Sequence, residues 1–132
     1  IALLSYSNFG SAGGADAEKM ARAAVLLKER HPDLIVDGEI QANFALNDEL
    51  LSESVPFSTL HNKRVNTLIF PNLSAGNIAY KLLQEMAGIE VQGPVLLGMR
   101  KSFHVLQMGS SVREIHDMVR LAVVDAQIKN PA

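Results

Sequence analysis

The chain has 132 residues, 48% of them hydrophobic, which is enough for one domain with a real core and too apolar for a disordered segment. Its 12 lysines and arginines face 14 aspartates and glutamates, and a net charge of -2 removes the electrostatic case for nucleic acid or an anionic membrane as partner. No cysteine occurs, which excludes disulfides, thiolate metal sites and a thiol nucleophile together, and no apolar run reaches the length that spans a bilayer.

The chain opens on Ile1-Ala2-Leu3-Leu4, a buried strand entered without an initiator methionine, a polar lead-in or a basic signal-peptide start. A piece of a longer, cytoplasmic polypeptide is expected. The strand leads into Ser5-Tyr6-Ser7-Asn8-Phe9-Gly10-Ser11-Ala12-Gly13-Gly14, small and hydroxyl-rich, at a strand's carboxyl end. That edge of an open α/β sheet is where ligands bind, and small residues let backbone N–H groups approach a phosphate or carbonyl. The loop matches neither G-x-G-x-x-G nor G-x-x-x-x-G-K-[ST], so its composition fits a plain turn as well as a binding loop.

From Asp16 to about Arg30, Met20, Ala24 and Leu27 share one face of an amphipathic helix, with Glu18 and Arg22 spaced as an i,i+4 pair. His31-Pro32 ends it. Leu34-Ile35-Val36 reads as a second strand running into Asp37-Gly38-Glu39-Ile40-Gln41, whose two carboxylates and amide fit turn hydrogen bonds ahead of an acid/base pair. Ala45 to Glu53 reads as a short helix, and Ser54 to Ser58 as a surface loop.

Thr67 to Phe70 is too short for a helix and suits a buried strand, which Pro71 must stop because it cannot donate to a ladder. Ser74 is the expected N-cap of the next helix, with Gly76 and Asn77 over its first turn and Ile78, Ala79, Leu82 and Met86 on its apolar face up to Gly88. Such a corner is a place for an anion or polar ligand, although its spacing fits a capped helix packed on a sheet better. Val95 to Gly98 reads as a fourth strand, Phe103 to Val105 as a brief extended piece. Ser111-Val112-Arg113-Glu114 matches the S-x-x-E capping box, and Ile115, Met118, Val119, Ala122 and Ala126 line the last helix. Alternating strands and helices with short connections give an α/β fold class, a mostly parallel sheet with flanking helices.

Chemistry from the residues alone is thin. No G-x-S-x-G elbow presents a nucleophile, and His31, His61, His104 and His116 form neither H-x-x-x-H nor H-E-x-x-H, so no metal site is expected. Arg100 and Lys101 fit a solvated turn better than a phosphate site.

Four segments carry a likeness that spacing does not supply. They are Leu4 to Ser11, Asp37 to Gln41, the run Phe70-Pro71-Asn72-Leu73-Ser74-Ala75-Gly76-Asn77-Ile78-Ala79-Tyr80-Lys81-Leu82, and the tail from Gly93-Pro94. In order and separation they resemble the phosphate acetyl/butyryltransferase family. More narrowly, Ser110 to Ile115 and Val123 to Gln127 look like the carboxyl-terminal phosphotransacetylase-like domain of large bacterial NADP-dependent malic enzymes. The resemblance implies the second half of a two-lobed fold with an acyl-CoA cleft between the lobes. Residues 1–93 would belong to the inserted lobe, and 94–132 would return to the first.

By position in those motifs, the resemblance puts Ser7, Asn8, Gly10, Ser11, Asn77, Tyr80, Gln107 and Met108 at the cleft. It implies acetyl-CoA or CoA as ligand, no cofactor held by this segment, and NADP with a divalent metal in a malic enzyme domain outside it. The implied partners are the rest of the parent protein and a second copy, through the inserted lobe.

One departure bears on mechanism. Where active members of the family carry N-D-L-S-R-G, and an aspartate after it, this chain reads His104-Val105-Leu106-Gln107-Met108-Gly109 and then Val112. A thioether offers no charge or fork of donors to a phosphoryl group, and an isopropyl group accepts no proton from a thiol. Loss of both implies a module that binds acetyl-CoA and regulates a distant active site without acyl transfer. The alternatives are an active phosphate acetyltransferase with other residues in those roles, and a purely structural dimerisation lobe.

Overall fold

The computed structural model describes residues 1–129. By its contacts the chain forms two units, one from Ile1 to Leu82 and one from Leu83 onward.

The first unit is built on a three-stranded parallel sheet in the order β2-β1-β3, with β1 (Ala2–Leu4) at its centre, β2 (Asp37–Ile40) on one side and β3 (Leu68–Ile69) on the other. Helix α1 (Ala15–Arg30) connects β1 to β2, and α2 (Ala42–Leu46) and α3 (Asp48–Ser54) follow β2. A parallel sheet is buried on both faces, and the alternation along β1 serves both. Ala2 and Leu4 meet Ile40, Ala45, Leu51, Val55 and Leu60 on one face. Leu3 meets Val36 and, from α1, Met20 and Ala24 on the other. Burial of a leucine such as Leu3 contributes about 2 kcal/mol.

The register between β1 and β2 carries an irregularity. Leu3 is opposite Gly38 and Leu4 opposite Ile40, so Glu39 is an extra residue, a bulge in β2. Gly38 permits it: at φ +143° a Cβ there would lie 2.5 Å from the Leu3 carbonyl oxygen.

Several expectations shift. The second strand is Asp37–Ile40 and not Leu34 to Val36, because the ladder with β1 starts where Ala2 meets Asp37. The helix expected from Ala45 to Glu53 is two helices, since Asn47 is extended and its side chain accepts the Leu50 N–H at 3.0 Å to cap α3. Helix α1 pairs Asp16 with Lys19 at 2.6 Å in place of Glu18 with Arg22. It ends as expected at Arg30, where the His31 N–H donates to the Leu27 carbonyl.

Helix α4 (Leu73–Ala87) starts one residue before Ser74, and Asn72 is its cap, with Oδ1 accepting the Ala75 N–H at 2.9 Å. The other end of the Asn72 amide donates to Asp16 Oδ2 at 2.9 Å, tying the start of α4 to the first turn of α1. The apolar face of α4 exists, yet Ile78, Leu82 and Met86 on it are exposed.

In the second unit the run Val95 to Gly98 is not a strand. A strand needs a partner for its N–H and C=O groups, and among the described residues this unit has no other strand. Phe103 to Val105 is likewise irregular. Helix α5 (Val112–Lys129) begins with the expected capping box: the Glu114 N–H donates to Ser111 Oγ at 3.2 Å and the Ser111 N–H to Glu114 Oε2 at 2.7 Å. Of its apolar face, Met118 is buried, while Ile115 and Val119 are exposed. No helix among the described residues is long and apolar enough to cross a membrane.

Candidate functional site

The loop after β1 is a built structure, held from β2. Phe9 and Gly10 both take positive φ, +46° and +87°, an unusual conformation for a bulky residue. Three loop groups end on Glu39 to hold it. Ser7 Oγ donates to Glu39 Oε1 at 2.9 Å, the Gly10 N–H donates to the same oxygen at 2.6 Å, and the Phe9 N–H donates to the Glu39 carbonyl at 2.9 Å. The bulge is what brings this carboxylate to the loop. Gln41, two residues on, fixes the neighbouring part: its N–H donates to Asn8 Oδ1 at 2.7 Å and its side chain donates to the Tyr6 carbonyl at 2.6 Å. The ring of Phe9 packs edge-on against Phe57, with centroids 5.0 Å apart.

Ser7, Asn8, Gly10 and Ser11, expected at a ligand cleft, are therefore in one ordered loop. Ser7 is fully buried at 0% exposure, and its oxygen also accepts the Ala12 N–H at 3.0 Å. Ser11 Oγ accepts the Asn8 N–H at 2.8 Å, and Gly10, Ser11 and Ala12 face outward. The Asn8 side-chain nitrogen has no hydrogen-bond partner among the described residues. The outer surface of the loop thus offers small residues and an amide donor at the carboxyl end of the central strand.

Asn77 and Tyr80 lie one turn apart on α4, Asn77 exposed and Tyr80 half-buried with the Lys81 ammonium 4.5 Å from its ring centre. Gln107 and Met108 belong to the second unit. The Gln107 carbonyl accepts from the N–H and the hydroxyl of Ser110, at 3.2 and 2.9 Å, closing a turn. Met108 is fully exposed in it.

The two carboxylates of the Asp37-to-Gln41 segment part company. Glu39 serves the loop, whereas Asp37 joins a buried network with Lys28 Nζ at 2.5 Å, Ser58 Oγ at 2.9 Å, the Thr59 N–H at 2.8 Å and the Gly38 N–H at 3.0 Å. Burial pushes the Asp37 carboxyl up, but the hydrogen bonds from Lys28, Thr59, Gly38 and Ser58 together outweigh it and hold its pKa below the ordinary aspartate value. Both carboxylates make hydrogen bonds within the fold, the reading favoured for this segment.

The second unit holds a grouping that the sequence did not single out. The His104 side chain is buried with Nε2 3.3 Å from Asp125 Oδ2, though poorly aligned, so that neither ring nitrogen has a hydrogen-bond partner among the described residues. Asp125 also meets Lys129 at 2.8 Å; that bond holds its carboxyl below the usual value against the raising effect of desolvation, with Ser102 and His104 adding to it. Only the Asp125–Lys129 spacing of four was visible in the sequence. Among the described residues no three histidine, cysteine, aspartate or glutamate side chains are grouped to hold a metal.

The parallel α/β sheet with flanking helices matches the solved phosphotransacetylases. The EutD phosphotransacetylase from Staphylococcus aureus superposes with a TM-score of 0.84 at 32% identity, over 98% of this chain and 39% of that one. The chain belongs to the phosphate acetyl/butaryl transferase family, which it matches over residues 1–123. Among its relatives, an NADP-dependent malic enzyme of Haemophilus influenzae is 44% identical over 127 residues, and a phosphate acetyltransferase of Acetivibrio thermocellus is 40% identical over 127. In both cases the match covers 96% of this chain, but only 17% of the first relative and 38% of the second.

Proposed function

We propose that this chain is part of an acetyl-CoA-binding, phosphotransacetylase-like module of a cytoplasmic NADP-dependent malic enzyme, one that senses the thioester without transferring its acyl group. The observation that carries the reading is the pair Met108 and Val112, standing where the resemblance puts an arginine and an aspartate. Transfer at neutral pH needs a thiolate and charge stabilisation on the phosphate, and loss of both groups costs several orders of magnitude in rate. The chain is 44% identical to a malic enzyme and 40% identical to a phosphate acetyltransferase, so the same module serves both kinds of parent.

The ordered loop from Ser7 to Ala12 supports a binding role, since its outward groups suit a carbonyl or phosphate oxygen. In this reading Asn8, Gly10 and Ser11, with Asn77, Tyr80, Gln107 and Met108, line the ligand site of the complete two-lobed fold, and residues 1–93 and 94–132 fall in different lobes. NADP and a divalent metal belong to a malic enzyme domain outside the chain. Regulation requires acetyl-CoA to bind two states of the enzyme unequally, by a coupling of about 1 to 3 kcal/mol.

The test is phosphate-dependent turnover of acetyl-CoA by the longer parent protein, with binding and malate oxidation measured on the same sample. Binding without turnover, together with a changed rate of malate oxidation, is the expected result. Turnover would make the module a phosphate acetyltransferase, and no binding would leave a structural lobe.

A further inference from the structure

Glu39 has no assigned part in ligand binding, yet more of the loop ends on it than on any ligand-facing residue. We infer that Glu39 is the positioning residue of the proposed acyl-CoA loop: through Ser7 and the Gly10 N–H it sets the conformation in which Asn8, Gly10 and Ser11 meet the ligand. This rests on the reading above and deepens it.

A loop with two successive positive-φ residues, one of them phenylalanine, needs fixed partners to stay in that form. Glu39 Oε1 provides two of them and the Glu39 carbonyl a third. Glu39 itself cannot drift, because it is only 4% exposed and sits in the bulge between the residues paired with Leu3 and Leu4. Ser7 has no exposed surface with which to touch a ligand, so its effect on binding passes through its hydrogen bonds to Glu39, to the Ala12 N–H and to the Ser11 hydroxyl. A misplacement of about 1 Å in such a loop is enough to weaken a positioned contact strongly.

A structural role without consequence for binding predicts something different, and Asp37 separates the two. It is a buried carboxylate on the same strand, but its partners are Lys28, Ser58, Thr59 and Gly38, none of them a loop residue. Acetyl-CoA affinity and amide exchange over residues 8–12 are therefore measured in the longer parent protein for Glu39→Ala, Glu39→Gln, Ser7→Ala and Asp37→Asn.

Glu39→Ala is expected to weaken acetyl-CoA binding about tenfold or more and to speed exchange in the loop, and Ser7→Ala to weaken binding about threefold. Glu39→Gln, which keeps an oxygen acceptor in place, is expected to stay within about threefold of the parent. Asp37→Asn should lower the unfolding temperature and leave affinity unchanged. If Glu39→Ala does not fold, Ser7→Ala against Asp37→Asn decides the matter. Full affinity in Glu39→Ala or Ser7→Ala, or an equal loss in Asp37→Asn, overturns the inference while the binding reading survives. A parent protein that binds no acetyl-CoA overturns both.

Discussion

Lys28 Nζ stands 2.5 Å from Asp37 Oδ1, an ion pair between the last turn of α1 and the first residue of β2 in which the carboxylate is buried and the lysine is partly in water. The other Asp37 oxygen takes the Ser58 hydroxyl and the Thr59 N–H, so one side chain fastens a helix, a strand and the segment after α3. Asp37→Asn keeps the shape but loses the charge, and is expected to cost about 2 kcal/mol in urea unfolding.

The same residue sets an acid limit. Its folded-state pKa is lowered from 3.8, so the stability it contributes is complete above that unfolded value and is lost as pH falls through the folded one. The difference in unfolding free energy between the parent and Asp37→Asn should hold constant above about pH 5 and shrink steadily in more acid solution. A difference that grows on acidification would refute the assignment.

At the start of α4 the cap is Asn72, and two substitutions tell it from its neighbour. Asn72→Ala removes the bond to the Ala75 N–H and the link to Asp16, and should destabilise the protein by about 1 to 2 kcal/mol. Ser74→Ala, inside the first turn, should lie within about 0.5 kcal/mol of the parent in the same thermal melt.

Gly38→Ala tests the bulge. The new Cβ would meet the Leu3 carbonyl oxygen at 2.5 Å and the Leu3 Cβ at 2.9 Å, in a backbone conformation that favours glycine. A loss of about 3 kcal/mol is expected, read from the urea midpoint.

Met108→Ala tests the ligand site from the second unit. Under the proposed function it removes an apolar contact and should weaken acetyl-CoA binding about fivefold, with the melting temperature unchanged because the side chain is fully exposed in this chain. Unchanged affinity would displace the site from this turn.

How far the chain could be read from sequence depended on whether the decisive partner was local. The capping box Ser111 to Glu114 and the end of α1 before Pro32 are settled within a few residues, and both stand as read. Strand limits are not local: Leu34 to Val36 and Val95 to Gly98 have strand composition, but pairing decides, and it starts at Asp37 for one and is missing for the other among the described residues. In the site, the hydroxyl-rich loop was visible as a candidate, while its support was not. Asp37 and Glu39, two residues apart, look interchangeable in the sequence, and only the bulge sends them to different networks. The buried approach of His104 to Asp125 spans 21 residues and left no periodic mark.

The bulge has a consequence for the phase of the strand. Val36 and Ile40 are separated by an even number of positions, and regular alternation would set both against the same layer, yet Val36 packs with α1 and Ile40 with the opposite core. Glu39 acts as a half-step between two layers. Deleting that single codon would restore regular alternation with Ile40 still opposite Leu4 and in its own layer, while cutting the loop's anchor. The deletion would thus spare the core layer and take only the support of the loop.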